Sequence, residues 1–299
     1  DGMSCGQLAL DKLGIKPTYF ASEIDKYAMQ VTKANYPNTH FIGDVTKVDA
    51  KLLPKIDLLL GGSPCQGFSF AGKQLNFDDP RSKLFFEYVR LLKELKPKYF
   101  LLENVRMKKE SQDIISEYLG VQPIAINSNL VSAQNRHRLY WTNIPNITQP
   151  KDKQINLKDI IEDGVTDRTK SHCIDANYFK GGNLKSYFEK HRRQLIFSDE
   201  GLCHVGDADL KGHGYVRRVY SPEGKAPSLC ASSGGNLEPK ILIENTTWRK
   251  LTPLECERLQ TVPDGYTKSV SNTQRYRMLG NGWTVDVISH ILSNMEQSK

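Results

Sequence analysis

The chain has 299 residues, 38% of them apolar and 25% charged, with 41 Lys and Arg against 34 Asp and Glu for a formal charge of +7. The apolar residues gather in runs such as 56–60 and 99–102, which supports a packed core, excludes wholesale disorder and suits one large domain with a smaller one. The positive charge suits a polyanionic partner, while the absence of any membrane-length apolar stretch or secretory leader points to a reducing, cytoplasmic setting.

The sequence opens on Asp1 to Gly6, a strand-to-helix turn whose own strand is not part of it: that strand lies ahead of Asp1 or is supplied from elsewhere. Gln7 to Leu13 then reads as a helix, 18–23 as a strand ending on Glu23, and Lys26 to Ala34 as a second helix. The stretch 39–44 is a strand ending on Asp44. Residues 56–60 form a buried strand closed by Gly61 and Gly62. Arg81 to Leu95 has apolar residues at helical spacing and stops before Pro97. Residues 99–102 form a strand that runs into Glu103. This alternation is the rhythm of strand–helix units around a parallel sheet with helices on both faces. From 150 to 247 the chain is polar and rich in Gly, Lys and His, as a smaller, mostly irregular or β unit. Helix returns at 252–259, with Thr252 as N-cap and Pro253 at the first helical position, and the chain closes on an amphipathic helix, 288–295. The division expected is therefore 1–149, 150–247 and 248–299.

The cysteines Cys5, Cys65, Cys173, Cys203, Cys230 and Cys256 are scattered with no Cys-x-x-Cys pair, against both a disulfide framework and a compact metal site. His172-Cys173 and Cys203-His204 offer four zinc ligands, but at a spacing that matches no usual zinc module, so no metal is expected.

In an open α/β sheet, ligands bind at the carboxyl ends of strands. Those ends here carry Gly2 to Gly6, Glu23, Asp44, 64–66 and Glu103. A glycine-bearing turn followed about 20 residues later by an acid fits a nucleotide-like ligand; an ordinary tight turn and solvated loop acids fit as well. Cys65 follows a buried strand, with Pro64 stiffening the approach and a polar, glycine-bearing loop after it. Its neighbours are poor core-formers, which sets it apart from the usual buried thiol. Glu103 is either a helix-capping acid or a carboxyl whose partly apolar site suits it to donate a proton. Arg136 and Arg138, at alternate positions, point to one face of a strand. They orient an acid, a phosphate or a base carbonyl, or they are exposed edge charges.

The whole series resembles the DNA cytosine-C5 methyltransferase family, in the family's order and over most of the chain. Gly2 to Gly6 resembles the second half of its first motif, 64–66 its catalytic Pro-Cys-Gln, 81–86 its cofactor-contacting helix start, 103–105 its Glu-Asn-Val and 134–138 its paired-arginine motif. Stretches 218–227 and 232–236 resemble the end of its recognition region, and 249–260 and 279–281 its last two motifs. Two departures stand out. Gly282-Trp283 follows Asn281 where the family has Ser-Val, so a tryptophan stacks on the cofactor or reshapes its pocket. Arg106-Met107 follows 103–105 where the family often has glycine.

The resemblance implies a Rossmann-like fold that binds S-adenosyl-L-methionine through Gly2, Met3, Ser4, Cys5, Glu23, Ile24, Asp44, Val45, Pro64, Leu84, Asn281 and Trp283. It implies attack on C6 of a flipped cytosine by Cys65, with Glu103 at N3, Arg138 at O2 and Arg136 steadying Glu103. Double-stranded DNA is the implied partner, met by Gln66, Ser69, Lys73, Gln74 and Arg81 beside the catalytic loop and by Lys180, Asn183, Lys185, Arg192, Arg193 and Asn236 in the recognition region. The chain is expected to act as a monomer, with a cognate restriction endonuclease as a candidate companion. A tRNA cytosine methylase, a catalytically silent DNA-binding relative and a nicotinamide oxidoreductase are the competing readings. They are disfavoured in turn by the sizeable segment before Trp248, by intact Cys65, Glu103 and Arg138, and by 64–66.

Overall fold

The computed structural model describes residues 1–62, 80–198, 204–207, 218–220, 240–241 and 248–295; side chains at 80–83, 185–186, 204–207, 218–220 and 240–241 fall outside the description. In chain order the elements are α1 (Cys5–Lys12), β1 (Phe20–Ser22), α2 (Lys26–Asn35), β2 (His40–Gly43), β3 (Leu58–Gly62), α3 (Pro80–Leu95), β4 (Tyr99–Val105), α4 (Lys109–Leu119), β5 (Ile124–Asn127) and β6 (His137–Thr142). There follow α5 (Leu184–Lys190), β7 (Leu195–Phe197), β8 (His204–Asp207), β9 (Arg218–Tyr220), β10 (Lys240–Ile241), β11 (Trp248–Lys250), α6 (Pro253–Leu259), α7 (Asn272–Asn281) and α8 (Val285–Leu292).

The fold is mixed α/β. A four-stranded sheet runs β3-β4-β6-β5, with β3 and β4 parallel and β6 antiparallel to both its neighbours. The strand β4 explains how it is built. Tyr99 and Leu101 point into one apolar cluster with residues of α1 and α8, while Phe100 and Leu102 point into a second with Phe85, Tyr88 and Trp141. Side chains alternate across a strand, so a strand covered by helices on both faces reads as an unbroken apolar run.

The parallel pair β1–β2 forms a separate sheet, and no described strand joins β1 to β3. Among the described strands the parallel pairings expected from the sequence are β1 with β2 and β3 with β4.

The core does not stop at residue 150. Leu157, Ile160, Ile174, Tyr178 and Ile196 belong to the same cluster as Met3, Leu101 and Leu279. The antiparallel pairing of β7 with β11 ties this stretch to the returning chain. The start of α6 is fixed as its sequence dictates: Thr252 and Glu255 form a capping box around Pro253. Glu255 and Glu257 on this helix are fully buried and are held by Arg249 at 2.8 Å and Arg275 at 3.1 Å.

Candidate active site and cofactor cleft

The carboxyl ends of β3 and β4 lie side by side, with Gly62 paired in register with Glu103. A Cβ at position 62 would stand 3.2 Å from Nε1 of Trp283 and 3.4 Å from Oε2 of Glu103, so the backbone passes close to both and leaves little room there for a larger residue. Cys65, together with Pro64, Gln66, Ser69, Lys73, Gln74 and Asn236, lies outside the described residues, as do the side chains of Arg81 and Lys185.

Glu103 is buried, and both of its oxygens are engaged. Oε1 faces Nε of Arg138 at 2.9 Å, and Oε2 accepts from Nε1 of Trp283 at 3.1 Å. Burial opposes the charge of Arg138, but Glu103, Cys173 and Tyr140 together outweigh it and raise the pKa of the guanidinium above its ordinary value. Arg138 also donates to the carbonyl of His137 at 2.8 Å and approaches Sγ of Cys173 at 3.9 Å.

Arg136 has a different task from the one the resemblance implies. Only 2% exposed, its guanidinium donates to the carbonyls of Ile174 (3.1 Å), Gly280 (3.1 Å) and Gly282 (2.8 Å) and meets Cys173 Sγ at 3.3 Å. It stitches the segment after 170 to the end of α7, and its guanidinium hydrogen bonds go there rather than to Glu103. The steadying of the acid falls to Arg138 and Trp283. Arg136 sits just ahead of β6 and Arg138 within it, and both guanidiniums reach Cys173 Sγ; which of them meets the acid is decided by what lies opposite.

The cleft at the carboxyl ends of β1 and β3 is lined by Ser22, Glu23, Ile24, Gly43, Asp44, Val45, Gly61, Gly62 and Leu84. Glu23 Oε2 accepts from the Gly2 N–H at 2.6 Å and faces the Asp1 amino group at 3.3 Å. Its Oε1 accepts from the N–H groups of Ile24 and Asp25, each at 2.8 Å. Burial opposes its charge, yet the Asp1 amino group and these N–H donors together hold the carboxyl below the usual range. Asp44 accepts from the N–H and the hydroxyl of Thr46 at 3.0 and 2.9 Å. The side chain of Ile24 is 75% exposed.

A carboxylate for vicinal hydroxyls, a second acid as acceptor and apolar Ile24, Val45 and Leu84 for a flat ring make a donor set that fits a nucleoside. Met3, Ser4 and Cys5 do not present side chains to it: they are 1%, 0% and 4% exposed. The Ser4 hydroxyl donates to Asp1, and burial pushes the Cys5 thiol up to about 11. Any contact they make with a ligand runs through backbone. Gly2, the exposed Asn281 and Trp283 are not among the residues lining the cleft.

Of the residues proposed for DNA, Lys180, Asn183 and Arg192 are exposed and Arg193 is half-buried. Arg192 pairs with Asp175 at 3.3 Å, and Arg193 donates to the Gly181 carbonyl at 2.8 Å. Two relationships escaped the sequence. One is Cys173 at the arginine pair; its single signal is the His172-Cys173 dipeptide. The other is Trp283 at Glu103, signalled only by the departure at 282–283. Met107, the other departure, packs on the second apolar cluster.

A mixed α/β sheet with a cleft and two acids at its strand ends, beside a buried acid held by an arginine, is the architecture of a nucleotide-binding α/β enzyme. The model of the C-5 cytosine-specific DNA methylase family matches residues 1–297, and the chain belongs to that family. As an enzyme it is a DNA cytosine-C5 methyltransferase, and methylation in this family draws on S-adenosyl-L-methionine. It is similar to the Type II methyltransferase M1.ScrFI of Lactococcus lactis subsp. cremoris, at 33% identity over 92% of this chain and 71% of that one. It is also similar to the Type II methyltransferase M.HhaI of Haemophilus parahaemolyticus, at 29% identity over 99% of this chain and 92% of the relative. The Entamoeba histolytica methyltransferase EhMeth shares the fold, with a TM-score of 0.71 at 16% identity over 98% of this chain and 94% of the other. Among the described residues, no helix is long and apolar enough to cross a membrane.

Proposed function

We propose that the chain transfers a methyl group to C5 of a specific cytosine in double-stranded DNA, by extruding the base and forming a covalent bond between Cys65 and C6. The observation that carries this reading is the placement of Glu103, buried and held on both oxygens, directly beside Gly62. Cys65 follows Gly62 by three residues, a span of at most about 11 Å, which supports pairing the thiol with that acid.

Cytosine C5 is too electron-poor to attack an alkyl donor unaided. Addition of the Cys65 thiolate at C6 makes the ring an enamine, nucleophilic at C5. The Glu103 carboxyl hydrogen-bonds N3 and draws off charge as the adduct forms. Arg138 keeps Glu103 in place through Nε and turns its remaining N–H donors to the base carbonyl O2. S-adenosyl-L-methionine, when bound, supplies the electrophilic methyl group; Glu23, Ile24, Asp44, Val45 and Leu84 would hold its nucleoside. After transfer a base removes the C5 proton, and the ring's electrons expel the Cys65 thiolate.

Extrusion costs on the order of a few kcal/mol and calls for a second grip on the duplex. Residues 150–247 supply it, through Lys180, Asn183, Lys185, Arg192, Arg193 and Asn236, with Gln66, Ser69, Lys73, Gln74 and Arg81 on the catalytic side. The enzyme acts as a monomer, with a cognate restriction endonuclease as its natural companion.

Bisulfite sequencing of plasmid DNA exposed to the enzyme should reveal protected cytosines at one recurring site. DNA carrying 5-fluorocytosine at that site should form an adduct that survives denaturation. Cys65→Ala should abolish both. Protection of cytosines by the alanine variant would refute the assignment of the nucleophile.

A further inference from the structure

The ring of Trp283 lies where three parts of the site converge. A Cβ at Gly6, in the first turn of α1, would stand 3.6 Å from its Cζ3; one at Gly62, the last residue of β3, would stand 3.4 Å from its Cζ2. Between these two glycines the indole passes, and its Nε1 donates to Oε2 of Glu103 at 3.1 Å. The backbone on either side is fixed. The carbonyl of Gly282 accepts from Arg136 at 2.8 Å and from Gln260 at 3.1 Å, and the Thr284 hydroxyl donates to Gln260 Oε1 at 2.9 Å. The indole is therefore aimed, not merely packed.

An indole N–H only donates, and it carries no charge. A carboxylate gripped by Arg138 alone still turns about its Cγ–Cδ bond, because that torsion is broad. A second donor on the other oxygen fixes the plane without adding a second positive charge beside the acid. We propose that Trp283 is a positioning residue for Glu103, setting the carboxyl plane in which the acid meets N3 of the base. This role rests on the function proposed above. It also means that the substitution after Asn281 acts on the catalytic acid rather than by lining the cofactor cleft.

The contact is testable without turnover. The chain has three tryptophans, Trp141, Trp248 and Trp283, and ¹⁵N-labelling of the indoles gives three N–H signals. The signal missing from Trp283→Phe should move on Glu103→Gln, while the other two stay. A signal that ignores Glu103→Gln overturns the proposal. For the role, Trp283→Phe keeps the ring and drops the N–H. It should lower kcat for methyl incorporation by roughly tenfold to a hundredfold, with KM for S-adenosyl-L-methionine and for DNA within about twofold. In the Glu103→Gln background, Trp283→Phe should cost nothing further. An unchanged kcat, or the same loss in both backgrounds, also overturns it. A wild-type enzyme that methylates no cytosine sinks the functional reading, and the catalytic role with it, while the indole signal still reports the contact.

Discussion

Arg138 and Glu103 meet diagonally across the antiparallel strands β6 and β4. Glu103 is paired with Tyr140 and Arg138 with Val105, so the two charged residues share a sheet face two positions apart, a separation a long side chain spans. Their Nε–Oε1 distance is 2.9 Å, with the side chains 14% and 11% exposed. Removing one member of such a pair strands the other charge away from water, at a cost of about 3–5 kcal/mol.

Arg138→Met should therefore both destabilise the protein and lower methyl incorporation by roughly a hundredfold or more. Arg138→Lys keeps the charge but not the planar fork, and should recover stability more than rate. Urea unfolding alongside tritiated-methyl transfer separates the two effects. Equal activity in the methionine variant and the wild type would remove Arg138 from the site.

Arg136 should behave in the opposite sense. Its guanidinium serves three backbone carbonyls on two segments, which Arg136→Ala would leave buried without their donor. Unpaired buried acceptors cost about 1–3 kcal/mol each before relaxation or entry of water, so a loss of several kcal/mol in the urea midpoint analysis is expected. Adding guanidinium ion at low millimolar concentration should restore part of the activity of properly folded Arg136→Ala. Wild-type stability in this variant would show that the carbonyls find other partners.

Much of this arrangement is legible in the sequence because local rules agree there. The run 99–102 had to be a strand buried on both faces, and Thr252, Pro253 and Glu255 had to start a helix. Glu23 and Asp44 stand at strand ends because the turns that follow need an acceptor: Asp44 caps the turn at Val45–Lys47, and Glu23 takes the N–H groups of Ile24 and Asp25. What was not legible depends on distant partners. Nothing local distinguishes Arg136 from Arg138, since alternation gives them the same face and only the carbonyls of 174, 280 and 282 separate their roles. The reach of Trp283 to a residue 180 positions away has no local signature. The core beyond residue 150 is hidden because Leu157, Ile160, Ile174 and Tyr178 stand alone or in pairs within a polar stretch and join a cluster built elsewhere. The antiparallel sense of β6 is set by tertiary pairing, which the strand's own residues do not encode.

His172 should stay neutral far below the usual histidine range. Burial, reinforced by the Arg168 guanidinium and the nearby His191 ring, lowers its pKa from 6.5 to about 4, against a smaller opposing pull from Asp167. The folded pKa lies below the unfolded one, so the stability this group confers is complete above about pH 6.5 and is lost as the pH falls towards 4. Imidazole ¹⁵N shifts followed by NMR should show no protonation of His172 at pH 5.5, and Arg168→Met should raise its midpoint. A midpoint near 6.5 in the wild type would contradict the packing of this ring against Tyr187.

Glu23 offers the cleanest test of the cleft. Three backbone N–H groups, of Gly2, Ile24 and Asp25, hold its carboxylate. A carboxylate has about four acceptor directions, so acceptor capacity is left for the vicinal hydroxyls of a bound nucleoside. Hydrogen bonds to a charged acceptor are worth about 1.5–3 kcal/mol, which translates into a loss of roughly ten- to a hundredfold in affinity when the carboxylate goes. Titration calorimetry with S-adenosyl-L-homocysteine, the product left after transfer, should therefore show Glu23→Ala weakened by that factor. Glu23→Gln, which keeps one acceptor oxygen, should fall between it and the wild type. The alanine variant also releases the turn at Gly2, so a thermal-shift control is needed, and a folded Glu23→Ala that binds as tightly as the wild type would move the cofactor out of the β1–β3 cleft altogether.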